Sequence, residues 1–147
     1  MGFKFRFAPV LSYRAHLRDR AEMDFARARK VLARELEALR QSRALLAEEE
    51  TSFQKAMSAF LPGDRLRTHI EYRSALERRI ALQEEKVSRA RRVAAEKKRA
   101  LIEAERTFRL MKKLEERDWE SWRTEENLLE QKRLDEISVT RYGREFP

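Results

Sequence analysis

A chain of 147 residues is enough for one ordinary domain, but 41% of its residues are charged and it has three glycines and three prolines, too few turns for a compact multi-layer fold. It has no cysteine, which excludes disulfides, thiolate metal sites and thiol nucleophiles. No run of about 18 apolar residues occurs, and the opening "MGFKFRFAPVLSYR" interrupts its apolar stretch with Lys and Arg and has no small-residue cleavage site, so the chain is expected to be unprocessed and soluble.

In chain order, "FKFRF" comes first, alternating Phe3, Phe5 and Phe7 with basic residues before any helix begins. A first helix is predicted over about residues 10–61. Phe25, Leu32, Leu39, Leu46, Phe53 and Phe60 recur along it every seven residues, with Leu11 in phase and Arg18 breaking the series. A period of seven keeps one narrow apolar stripe against a partner helix, as in a left-handed coiled coil, and disorder would not produce it. The second stripe is weaker, with Ala28, Ser42 and Ala56.

"FLPGDR", Phe60 to Arg65, is the one clear punctuation mark. Pro62 ends a helix, Gly63 loosens the backbone, and Asp64 is a good N-cap for a helix starting near Arg65, which places the turn at 62–64. The second helix is predicted over about 65–139, followed by a short tail, 140–147. Its stripe is Leu66, Ile80, Val87, Ala94, Leu101, Phe108, Trp122 and Leu129, interrupted by Arg73 and Glu115. Leu76, Ala90, Ala104 and Met111 form a second row that Gln83 and Lys97 interrupt.

A short turn makes the two helices antiparallel neighbours. Folding the chain about residue 63 sets Phe60 against Leu66, Leu46 against Ile80, Leu39 against Val87, Leu32 against Ala94 and Phe25 against Leu101. The expected fold is all-α: one coiled-coil domain, a two-helix antiparallel hairpin of about 50 residues a side, roughly 75 Å long. Helix one runs out opposite residues 115–117. Everything after Arg117 should overhang, including Trp119, Trp122, Leu128, Leu129 and Ile137.

Such a hairpin offers no concave pocket of the kind catalysis and cofactor binding require. His16 and His69 are too far apart in sequence to be a ligand pair at helical spacing and are expected at solvated or edge positions. Adjacent carboxylates such as Glu84 with Glu85, or Glu125 with Glu126, point to different sides of a helix, and no Gly-rich phosphate loop is present. Neither an enzyme nor a metal or other cofactor is expected.

Lys and Arg outnumber Asp and Glu by 12 to 8 over residues 1–63 and by 16 to 10 over 64–116, whereas the balance reverses to 6 against 8 over 117–147. The densest basic run, "SRARRVAAEKKRA" at 88–100, has no interleaved aromatics for base stacking and belongs to no recognition-helix module. Nucleic acid is therefore not an expected partner. An acidic protein surface uses the same charge at least as well. At the chain ends two arrangements compete: the N-terminal aromatics fold back over the tryptophans, or this end inserts into another protein, Trp, Phe and Arg being frequent interface anchors.

"FRFAPVLSYR" at the N-terminus, a long helical hairpin, and "KLEER" followed by "EQKRLDEISVTRY" at the C-terminus resemble the flagellar FliJ family, the coiled-coil stalk proteins of the bacterial type III export apparatus. The likeness rests on Glu130, Gln131, Lys132, Asp135 and Glu136, with Phe5, Phe7, Val10, Leu11 and Arg14 at the other end. It implies a non-enzymatic role like the central stalk of a rotary ATPase. The termini would enter a hexameric flagellar export ATPase, the hairpin would reach the cytosolic domain of the membrane export gate, and export chaperones would be escorted. The implied location is cytoplasmic and peripheral to the inner membrane at the flagellar base, with no direct membrane insertion. The ATPase contacts would come from Phe5, Phe7, Leu11, Arg14, Trp119, Trp122, Leu129, Gln131, Asp135 and Glu136, and the gate contacts from Phe53, Tyr72 and Leu76. The alternatives are the equivalent stalk of an injectisome-type secretion system, a basic coiled-coil scaffold, and a nucleic-acid-binding hairpin.

Overall fold

A computed structural model of the chain describes residues 2–59 and 62–145. Two helices account for nearly all of it: α1, Ala8–Ser58, and α2, Gly63–Glu145. Helix α1 starts two residues earlier than its sequence suggested. Pro9 lies in its first turn, where the missing amide would lack an intrahelical partner in any case, and Leu11 donates to the Phe7 carbonyl at 2.9 Å. At the other end Ala59 donates to Lys55 at 3.1 Å, closing the last turn.

Helix α2 also starts earlier than expected. The Pro62 carbonyl accepts from Arg65 at 3.1 Å and from Leu66 at 3.3 Å, so the helix begins at Gly63. Asp64 is then a first-turn residue rather than the cap, where its carboxylate complements the helix dipole. A Cβ added at Gly63 would meet nothing within 4 Å, so no close approach demands glycine there. The helix continues through 140–145, where a tail was expected. Extending an existing helix costs only tenths of a kcal/mol per residue even through Val139 and Thr140. The Thr140 hydroxyl donates to the Glu136 carbonyl at 2.7 Å.

The chain packs as two compact units. In the unit Arg20–Ile102, Leu39, Val87, Leu76, Ala28, Ala56, Ala90 and Ala94 are buried along the seam, and Phe25, Leu32, Leu46, Phe53, Leu66, Ile80 and Leu101 are half-buried. These are the positions of the seven-residue stripes. Phe53 shows how the helices interdigitate. Its ring centroid is 6.2 Å from that of His69, and the guanidinium of Arg73, its level-for-level opposite, is 5.9 Å away. Phe53 thus sits between two residues of the other helix, as a knob does in knobs-into-holes packing. The pairing of Phe60 with Leu66 lies outside the described residues.

The second stripe of α1 is more polar than its alanines suggested. Glu35 and Glu49 occupy it alongside Ser42, which is buried. Glu49 is buried and pairs with Nδ1 of His69 at 2.5 Å, while Glu35 accepts at its carboxylate from Gln83, whose side-chain amide also donates to the Glu35 carbonyl at 3.0 Å. His69 is consequently half-buried and partnered, not solvated, whereas His16 is exposed. Arg43 with Glu84 at 3.0 Å and Arg73 with Glu50 at 3.1 Å cross the helices at the seam's edge. Arg73 also reaches Glu77 on its own helix at 3.5 Å.

In the unit of residues 1–19 and 103–147, Arg18 does not break the seam. Its guanidinium lies 4.2 Å from the Phe108 ring centroid, a cation–π contact that lets a charge sit on an apolar stripe while Asp19 pairs with it at 3.0 Å. Half-buried positions continue on α2 through Met111, Leu114, Glu115 and Asp118 to Trp122. From Arg123 to Arg144 every residue is exposed. The seam therefore runs one turn beyond Arg117, because the non-helical N-terminal segment prolongs it after α1 has ended. No helix among the described residues is long and apolar enough to cross a membrane.

Candidate functional site

All ten residues expected to meet an ATPase lie in the unit of residues 1–19 and 103–147. They divide by exposure into supports and free groups. Phe3 packs on Trp122 with ring centroids 5.9 Å apart and the planes tilted by 46°, and Phe5 is buried beside Phe7 at 6.0 Å in an edge-on contact. Of the N-terminal aromatics, Phe3 thus folds back on Trp122, and Phe5 and Phe7 meet each other. Leu11 and Arg14 are half-buried on the first turns of α1.

Trp119 is exposed, its ring capped by the Arg123 guanidinium at 5.2 Å. Phe7 is exposed as well, with the Arg6 guanidinium 5.5 Å from its centroid. Each free aromatic carries an arginine over its face, which shields part of the ring from water and leaves a cation–aromatic pair of the kind that dominates interface energies. Beyond them α2 exposes Leu128, Leu129, Leu134, Ile137 and Val139 together with Gln131, Asp135 and Glu136. These large apolar side chains are distributed around the helix and each is at least half exposed.

The three residues expected at an export gate lie in the unit Arg20–Ile102 and do not share one environment. Tyr72 is 47% exposed, Phe53 is half-buried in the seam, and Leu76 is 4% exposed. Leu76 is a seam residue that a partner reaches only by parting the helices. Tyr72 is the most exposed of the three, and Phe53 meets His69 and Arg73 in a cluster at the seam. No local pattern announces that cluster's polar half, Glu49 with His69, since the two are 20 residues apart on different helices.

Among the described residues no group of three His, Cys, Asp or Glu side chains could hold a metal ion, and the concavities are open grooves between or along the helices. One exposed pair is electrostatically distinct. Arg40, hydrogen-bonded to Glu37 at 2.6 and 2.9 Å, holds the Glu37 carboxyl below its ordinary 4.5 and has its own value raised in return.

A family model described as "Flagellar FliJ protein" matches residues 3–145. Among solved structures, a putative YscO homolog from Chlamydia trachomatis has a similar fold, with a TM-score of 0.51 and 21% identity, covering 97% of this chain and 94% of that one. No curated protein matches.

Proposed function

Because the chain belongs to the flagellar FliJ family of the type III export apparatus, we propose that it is the non-enzymatic stalk coupling the hexameric export ATPase to the cytosolic domain of the membrane export gate. The observation that carries this reading is the α2 overhang, exposed from Arg123 to Arg144 and bearing Leu128, Leu129, Leu134 and Ile137, with exposed Trp119 at its root. A single helix is slim enough to enter a ring of subunits, and each Leu or Ile covered there contributes about 1.5–3 kcal/mol before the cost of association. Phe3 meets Trp122 at the root of the overhang, and Phe5, Phe7, Leu11, Arg14, Gln131, Asp135 and Glu136 complete the ring-facing set.

At the gate end, Tyr72 is the contact side chain, and Phe53 and Leu76 hold the helices beneath it. The protein works at the flagellar base in the cytoplasm, peripheral to the inner membrane, and the same overhang or hairpin passes export chaperones to the gate. Match of a flagellar family model over residues 3–145 favours the flagellar system over an injectisome.

Titration of the purified hexameric ATPase with the full chain tests the ring contact. Trp119→Ala with Leu129→Ala should weaken binding about tenfold or more, a loss of about 1.4 kcal/mol or more, with helical content unchanged. An undiminished affinity would overturn the assignment. Trp122→Ala is the weaker probe, since it also releases Phe3.

A further inference from the structure

The net charge of the chain is concentrated in one band of the unit Arg20–Ile102. Residues 26–34 carry four basic side chains and no acidic one, and residues 86–99 carry seven basic and one acidic, a net +10 on 23 residues against +8 for the whole chain. The other 124 residues are therefore net −2. The fold brings the two stretches together, because Ala28, Val31 and Glu35 of α1 line the same groove as Lys86, Ala90 and Val93 of α2. Among these eleven cations the one ion pair is Arg89 with Glu85, at 3.9 Å. The other ten make no ion pair among the described residues, and the self-repulsion of a band carrying net +10 is what an external anion would relieve.

The groove within the band is apolar at its floor. Ala28 and Ala90 are buried, and Val31 and Val93 rise on either side, exposed at 39% and 45%. Lys86 and Arg89 edge it on α2. On α1 the Val31 side continues into a surface formed by Arg27, Lys30 and Arg34. Glu35, the groove's carboxylate, is already engaged by Gln83. Two small residues below two valines allow a third helix to approach the hairpin closely, and the rim supplies cations on both sides of it. A flat anionic lipid surface would leave the alanine floor empty, and a nucleic acid would find no aromatic in either stretch on which to stack.

We propose that the groove between residues 28–35 of α1 and 86–93 of α2 docks an acidic amphipathic helix of a partner protein, lying along the hairpin as a third helix. Its apolar side chains would pack on Val31 and Val93 over the alanines, and its Glu or Asp residues would pair with Lys86, Arg89 and the arginines of α1. This surface is separate from the ring-facing and gate-facing residues, and the inference stands whether or not those assignments hold.

The test is fluorescence anisotropy of the full chain against a labelled four-heptad peptide with Leu at its a and d positions and Glu at e and g. A peptide with Lys in place of Glu, phosphatidylserine vesicles and a mixed-sequence DNA duplex serve as competitors. The acidic peptide should bind at physiological salt and the basic one should not. Lys86→Glu with Arg89→Glu should weaken it about tenfold or more, Val31→Ser with Val93→Ser should weaken it severalfold, and Lys132→Glu with Arg133→Glu should leave it unchanged. Circular dichroism checks that each variant stays helical, and Lys86→Gln with Arg89→Gln replaces the charge reversal if that one does not. The proposal is overturned by absence of binding, by equal losses from the two charge-reversal pairs, by indifference to the valine changes, or by vesicles or DNA displacing the peptide at lower concentration.

Discussion

Leu39→Ala measures how much of the hairpin's stability its narrow seam supplies. Leu39 is 6% exposed, so truncation removes three nearly buried carbons, worth about 0.8 kcal/mol each or about 2.4 kcal/mol together. The void left behind adds less than it would in a globular core. It opens directly onto the groove formed by Leu36, Arg43, Glu84 and Val87, whose side chains can close over it. The expected loss is therefore about 2.5–3.5 kcal/mol, which for a chain of this length lowers the thermal midpoint by about 8–10 °C. Leu82→Ala is the matched control, because Leu82 is 63% exposed and its truncation should cost about 0.5 kcal/mol or less. Thermal and urea unfolding followed by circular dichroism report both. Equal destabilisation by the two changes, or a loss at Leu39 below about 1 kcal/mol, would refute the seam as the main source of stability.

His69→Ala should cost about 1–3 kcal/mol, since it leaves the buried Glu49 carboxylate without its partner, and urea unfolding of the double variant with Glu49→Ala should recover part of that loss. Val87→Asp should destabilise more than Val87→Ala, as it places a carboxylate in the seam, and a smaller midpoint shift for Asp would show that Val87 faces water. Phe3→Ala should shift the tryptophan emission of a Trp119→Phe chain to longer wavelength, because Trp122 loses its covering ring, and an unshifted spectrum would mean the two rings are apart in solution. The Glu37–Arg40 pair follows the sign for a carboxyl whose folded value is depressed. Its contribution is present above the ordinary 4.5 and disappears as the pH falls through the lower folded value, so Glu37→Gln should lower stability slightly above 4.5, with the difference vanishing below the folded value and masked by high salt.

The hairpin is legible because a repeat of seven survives in Phe25, Leu32, Leu39, Leu46 and Phe53, and these side chains lie at the seam. Its interruptions are harder to interpret from apolar patterning, which scores Arg18 and Arg73 only as gaps. Folding the chain about residue 63 sets Arg18 level with Phe108 and Arg73 level with Phe53, the aromatic rings their guanidinium groups do meet. The signal was present in the register rather than in the stripe. Glu35 and Glu49 are different, since no local pattern announces a buried carboxylate whose partner is Gln83 or His69 on the other helix. That the candidate ring-binding residues share one end of the chain is legible, but which of them are exposed is not. Whether Trp119 or Trp122 is the free one depends on which of them Phe3 reaches, and that follows from where α1 starts. Leu76 shows the reverse limit: its heptad position already assigned it to the seam, which outweighs its place among gate-facing candidates.

The central claim, that the overhang of α2 is the surface that meets the export ATPase, is tested most directly by a photo-crosslinking amino acid placed at Leu129 in flagellated cells, with Leu82 as the control position. Both side chains are exposed, so neither substitution disturbs the seam. The expected result is an adduct with the ATPase from position 129 and none from 82. No ATPase adduct from 129, or equal yields from the two positions, would contradict the account.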